Sequence, residues 1–116
     1  MEALSQQTCL PCQGNVSPVS EEEIAQYQPQ IPDWHLVRDN QIPYLERSYK
    51  LPNFKQALYL AQQIGEIAEQ EGHHPTLIVE WGKVTVQWWT HTIKGLHRND
   101  FIMATKTDRI FKKLSP

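Results

Sequence analysis

The sequence carries five histidines, His35, His73, His74, His91 and His97. Imidazole is the side chain whose ordinary titration falls near neutrality, so these are the first candidates for proton transfer. Two are adjacent and run into a proline, His73-His74-Pro75. They follow the end of a helical pattern, a partially negative place that suits a proton-carrying ring. Glu66, Glu69 and Glu71 lie just upstream. Alone, such a pair is as compatible with a solvated loop as with a site. His91 adds to the case. It follows the last strand pattern, and Asp100 comes just inside the next helix. A carboxylate there can fix an imidazole's tautomer and stabilise its charged form, although an acid in a first helical turn can also serve only the helix dipole.

Other chemistries fit less well. Histidines with a carboxylate suit zinc or non-haem iron. Adjacent histidines rarely chelate one ion from regular structure, and no His-x-Glu or His-x-x-x-His spacing occurs, so no metal is assigned. Cys9-Leu10-Pro11-Cys12 is a CxxC without the second pair of ligands of a structural zinc site, and it does not sit at a strand-to-helix turn. There is no phosphate-binding glycine loop and no nucleophile elbow. Four tryptophans stand at Trp34, Trp81, Trp88 and Trp89. Trp81 and Trp88 read as core, whereas Trp34 and Trp89 stay open to a role in a pocket for a flat ring.

The elements that must position these residues follow from local pattern. Residues 1–19 hold Pro11, Pro18, Gly14 and few apolar side chains, and read as a flexible arm ahead of one domain, 20–116. Ser20-Glu21-Glu22-Glu23 is a capping box, and Pro29 and Pro32 keep the helix after it short. Trp34–Val37 and Ile42–Leu51 read as strands joined by a turn at Asp39-Asn40, with Leu45, Arg47, Tyr49 and Leu51 on one side. Pro43 places the start of the second strand at an edge or after a bulge.

Asn53 caps the clearest helix, to Glu71. Phe54, Ala57, Leu58, Ala61, Ile64, Ile67 and Ala68 form its apolar stripe, and Gly72 stands where a left-handed terminator belongs. Leu77, Val79 and Trp81, then Val84, Val86 and Trp88, alternate about Gly82-Lys83. That predicts a hairpin pairing Trp81 with Val84, Val79 with Val86 and Leu77 with Trp88. A last helix runs from Asn99 to Leu114. The order helix, two strands, helix, two strands, helix predicts an α+β fold, a four-stranded antiparallel sheet with helices packed on one face.

These residues, in this order, resemble the pterin-4a-carbinolamine dehydratase family. Glu69 stands four before His73-His74-Pro75, an aromatic follows at Trp81, then Thr90-His91, Gly95-Leu96 and Asp100. Trp34, Tyr49-Lys50-Leu51 and Asn53-Phe54 extend the likeness upstream. It covers about residues 20–112; Thr76-Leu77 departs from the acid and aromatic that some members carry after the proline. The resemblance implies a homodimer or homotetramer. It also implies dehydration of a 4a-hydroxy-tetrahydropterin to a quinonoid dihydropterin, a step in tetrahydrobiopterin recycling. His73 and His91 are then the expected acid–base pair, in either order. His74, Glu69, Pro75 and Trp34 are expected to bind substrate, with Asp100 among them in support of His91. One acid and one base suffice, so no cofactor is expected. The alternative on the same fold is a non-catalytic protein-interaction module, like a transcription cofactor or an assembly factor.

Charge and hydropathy limit the rest. Net charge is −2, with no basic stripe, so no direct nucleic-acid partner is expected. No apolar run approaches the roughly 18 residues that span a bilayer, and the start lacks the pattern of a secretory signal. A cytoplasmic location is the expectation.

Overall fold

The capping box at Ser20 forms as its spacing predicts. Ser20 Oγ accepts the Glu23 N–H, and the Glu23 carboxylate accepts the Ser20 N–H. In this computed structural model, which describes residues 19–39, 42–90 and 95–114, that box opens α1 (Glu21–Tyr27). Pro29 lies in a short 3₁₀ turn, Gln28–Gln30, which ends the helix. There follow β1 (His35–Asp39), β2 (Ile42–Lys50), α2 (Phe54–Glu71), β3 (Thr76–Glu80), β4 (Lys83–Trp88) and α3 (Arg98–Leu114). Residues 1–18, which hold Cys9 and Cys12, lie outside the described residues, as do 40–41 of the β1–β2 turn. Val19, the last residue of the expected arm, donates to Leu96 O and packs against the core. No helix among the described residues is long and apolar enough to cross a membrane.

The sheet is antiparallel throughout, in the order β1-β2-β4-β3. β2 is an interior strand, but its pairing with β4 begins at Leu45, so Pro43 removes no donor from that ladder. One sheet face is the core. It brings Leu45, Tyr49, Val84, Val86 and Trp88 against Ala57, Leu60, Ile64 and Ala68 of α2 and Phe101 to Ala104 of α3. α1 closes one end through Ile24 and Tyr27, the latter 5.2 Å from the Phe101 ring. The far face is mixed: Val37, Tyr44 and Ile78 share it with the directly opposed pairs Ser48–Thr85 and Glu46–Gln87, which are hydrogen-bonded across β2 and β4.

Two local readings shift. The hairpin pairs Val79 with Val84 and Leu77 with Val86, two residues away from the register expected. Gly82 is the reason. It takes φ +72° as the second loop residue, and its carbonyl accepts the Leu51 N–H at 2.9 Å. The loop is therefore Trp81-Gly82, and Trp81 is 74% exposed, not core. A slip of two keeps every side chain on its face, so the core strands still read correctly.

The α2 stripe is also rotated. Leu60 is fully buried, whereas Phe54 and Leu58 are exposed. Leu58 stands about 100° around the helix from Ala57, beyond the arc that the sheet and α3 cover.

Candidate active site

His73 is fixed first by the end of α2. Gly72 adopts φ +67°, its N–H returns to Glu69 O at 3.3 Å, and the His73 N–H returns to Ala68 O at 3.1 Å. This is a Schellman closure, which pins the His73 backbone as the chain leaves the helix. Pro75 bars a helical restart, and Thr76 opens β3. The ring of His73 is buried and lies parallel to the Trp88 indole, with centroids 5.6 Å apart and an interplanar angle of 12°. Its Nε2 meets Asp100 Oδ1 at 2.6 Å.

Asp100 is the third residue of α3 and has no exposed surface. A carboxylate so buried is costly unless its oxygens are hydrogen-bonded. Here Oδ2 accepts from the Thr90 hydroxyl and from the His97 backbone N–H, both at 2.8 Å, while Oδ1 faces His73. An acceptor at that point assigns the ring proton to Nε2 of His73. Thr90 is placed by its bridge to Gly95, whose carbonyl accepts the Thr90 N–H at 2.8 Å.

His74 points the other way. It is exposed, and its Nε2 meets Glu69 Oε1 at 2.5 Å across the helix end. Both groups face water, so this pair orients the ring more than it stabilises the fold. His97 is a third histidine in the cluster, beyond the two that the sequence placed around α2. Its Nδ1 accepts from the Asn99 N–H at 3.0 Å. Burial lowers its pKa from the ordinary value; Asp100 and a hydrogen bond with the Asn99 side chain oppose that, and Arg98 and His73 reinforce it.

The structure thus brings His73, Asp100, Glu69, His74 and Pro75 to one end of α2. His91 lies outside the described residues. The sequence set Asp100 behind His91; the described partners of Asp100 are His73, Thr90 and His97. Trp34 is elsewhere. It is buried, its Nε1 donates to Asp108 Oδ1 at 3.0 Å, and it meets Tyr49 edge-on. Asp108 is two turns further along α3 than Asp100, about 12 Å along the axis. Its Oδ1 also accepts from Arg47 Nη1 at 2.6 Å and from the Tyr49 hydroxyl at 2.5 Å. This cluster ties β2, α3 and the segment before β1 together, and a cavity of about 490 Å³ opens beside it, lined by Asp33, Arg47, Thr105, Asp108, Arg109 and others. Arg47 there is paired with Asp108 and Asp33, and among the described residues no histidine lines it.

Sequence reasoning missed three members of the site, Trp88, Thr90 and His97. Trp88 reads as core alone, and Thr90 enters only as the neighbour of His91. His97-Arg98-Asn99-Asp100 has capping-box spacing with histidine in place of serine, and that was its available signal. Among the described residues no group of three or more metal-ligating side chains occurs.

Comparison with known proteins bears on this geometry. A family model described as pterin 4 alpha carbinolamine dehydratase matches residues 17–110. A protein of Microcystis aeruginosa is 52% identical over 97% of both chains. One of Syntrophotalea carbinolica is 50% identical over 97% of this chain and 100% of that one. Both carry the provisional name pterin-4-alpha-carbinolamine dehydratase. Among solved structures, a transcriptional coactivator/pterin dehydratase from Brucella melitensis superposes with a TM-score of 0.73 at 26% identity, over 81% of this chain and 98% of that chain.

Proposed function

The chain belongs to the pterin 4 alpha carbinolamine dehydratase family and shares its dehydratase activity, and we propose that it carries out that reaction by proton exchange at His73 and His91. The substrate is a 4a-hydroxy-tetrahydropterin. Its 4a oxygen must gain a proton to leave as water, and N5 must lose one as its lone pair forms the new double bond to C4a. The products are a quinonoid dihydropterin and water. One acid and one base balance the step.

The observation that carries this reading is the buried His73–Asp100 bond, backed by the parallel Trp88 ring. With Nε2–H committed to Asp100, proton exchange falls to Nδ1 of His73. Asp100 stabilises the imidazolium when that nitrogen is protonated. His91 is assigned the complementary role because it follows Thr90, itself bonded to Asp100, and because it stands at the family-like Thr-His position. His74 and Glu69 form a polar, exposed pair suited to the donors and acceptors of a pterin ring. The indole N–H of Trp34 is spent on Asp108, so its proposed part in substrate binding falls to the ring face. Histidine acid–base catalysis contributes about 10² to 10⁴ in rate, roughly 3 to 5 kcal/mol of barrier, without a metal or redox group. Such an enzyme would serve tetrahydropterin recycling in the cytoplasm.

The test is stopped-flow dehydration of enzymatically made 4a-hydroxy-tetrahydropterin. His73→Ala and His91→Ala should each lower kcat by about 10² or more. His74→Ala should raise KM more than it lowers kcat. Wild-type turnover in both His73→Ala and His91→Ala would sink the assignment. No dehydration by wild type at micromolar protein would favour the protein-interaction module instead.

A homo-oligomer is the assembly we infer. Phe54, Leu58 and Tyr59 lie exposed along α2, more large apolar surface than a free helix face usually keeps.

A further inference from the structure

α3 starts on an unusual residue. Helices favour Ser, Thr, Asp or Asn as the cap, because a short side chain can accept from the first free N–H groups. Here the residue before Arg98 is His97. Its Nδ1 accepts from the Asn99 N–H at 3.0 Å, and its carbonyl accepts the Asp100 N–H at 2.9 Å. In return, Asp100 Oδ2 accepts the His97 N–H at 2.8 Å. That is the reciprocal pattern of a capping box, with imidazole for hydroxyl and Asp100 as the acid that reaches back.

The other oxygen of the same carboxylate holds His73 at 2.6 Å. Cap and acid–base site therefore share Asp100. A serine cap would accept at any pH. A ring nitrogen accepts only while it carries no proton, since a charged imidazole has N–H on both nitrogens. A proton on Nδ1 would set N–H against the Asn99 N–H and open the cap. The charged and titratable groups facing the ring, among the described residues, are Arg98 and Asp100 from α3 and His73 from the connection between α2 and β3.

We propose that His97 is a positioning residue for the dehydration: as the neutral cap of α3 it sets Asp100 against His73, and one proton on its ring withdraws that support and turns the enzyme down in acid. The inference rests on the assignment of His73 to proton exchange. His97 touches no reacting atom in this scheme; it acts through Asp100.

Three forms of the full chain test it: wild type, His97→Ala, which cannot cap, and His97→Ser, which caps without titrating. In His97→Ala, kcat at pH 7.5 should fall about tenfold or more, within the roughly 10²-fold that a misplacement of about an ångström can cost. In His97→Ser it should recover to within about threefold of wild type, since the hydroxyl restores the acceptor. Below pH 6, log kcat should fall with one proton fewer in His97→Ser than in wild type. An identical acid profile in wild type and His97→Ser overturns the proposal, as does wild-type kcat in His97→Ala. If His97→Ala does not fold, the serine comparison alone decides. A second readout separates this failure from that of the dehydratase reading. The imidazole resonances of His73, followed by NMR, should match wild type in His97→Ser above pH 7.5 and move in His97→Ala. That result needs no turnover. A wild type without dehydratase activity would sink the function and leave the positioning claim to the resonances; unmoved His73 resonances in His97→Ala would sink the positioning claim.

Discussion

Asp100→Asn replaces one carboxylate oxygen with an amide nitrogen, and the network decides which one. Oδ2 accepts from the His97 backbone N–H and the Thr90 hydroxyl, while Oδ1 accepts from His73. A backbone N–H cannot become an acceptor, so the amide oxygen must stay on the Oδ2 side. The NH₂ group then faces Nε2 of His73, donor against donor. Relief requires the ring to move its proton to Nδ1 and accept at Nε2, which removes the free base from the side proposed to meet substrate. The imidazolium also loses its counter-charge. A charge-assisted bond is lost at a carboxylate without exposed surface, at a cost of about 2 kcal/mol in stability. In a domain of this size that lowers Tm by about 10 °C. The catalytic cost should approach the whole acid–base contribution of His73, about 10² or more in kcat, with KM little changed. Stopped-flow dehydration measures the rate, and ¹⁵N couplings of the His73 ring report the tautomer. A variant with kcat within about threefold of wild type, or with His73 still protonated at Nε2, would refute this account of the Asp100–His73 bond.

Other perturbations test the frame around that bond. Gly72→Ala adds a Cβ that meets nothing within 4 Å, so its cost is the φ of +67° alone; urea titration should show a loss of about 1 kcal/mol, with Gly72→Asn milder. Tyr49→Phe removes a donor that Asp108 shares with Trp34 and Arg47, and about 1 kcal/mol should be lost at pH 7. Burial, then the Asp108 charge and bond, push the Tyr49 hydroxyl far above the usual phenol range. Its contribution is therefore complete below pH 10 and lost above it, where the unfolded chain ionises and the folded one does not. Wild-type stability should fall more steeply than that of Tyr49→Phe between pH 9.5 and pH 11 in a denaturant series; parallel falls would refute the assignment. Leu58→Glu places a charge in the exposed apolar face of α2. Sedimentation velocity should show a smaller particle than wild type, whereas a monomeric wild type would remove the basis for an interface there.

What the sequence made legible is local. Ser20 and Glu23 are three apart on one chain segment, and Asn53 and Gly72 bound one helix. Their hydrogen bonds return within about one helical turn, so spacing alone specifies them. Alternation in Leu77 to Trp88 fixed the faces of the hairpin, because side chains change side at every residue whatever the register. The loop residue that Gly82 would supply was not legible, because it depended on Leu51, a residue of another strand end. Nor was the position of Leu58. An apolar stripe defines a face, but the width of the arc that is covered depends on the sheet beneath and on α3 beside it.

The site divides in the same way. The sequence by itself placed His73-His74-Pro75 behind a glycine-ended helix and Asp100 in the first turn of another, and it carried the family likeness. It could not say which histidine Asp100 holds. His73 and Asp100 are 27 residues apart, joined only because α2 and α3 pack on the same face of one sheet. Trp34 shows the converse, with a side chain that spacing could assign to a pocket but whose N–H the fold spends on Asp108, 74 residues away. Helix ends and strand faces are set by bonds between near neighbours, and the sequence states them outright. The partners of a buried carboxylate are set by which distant elements reach it, and only the packed structure decides that.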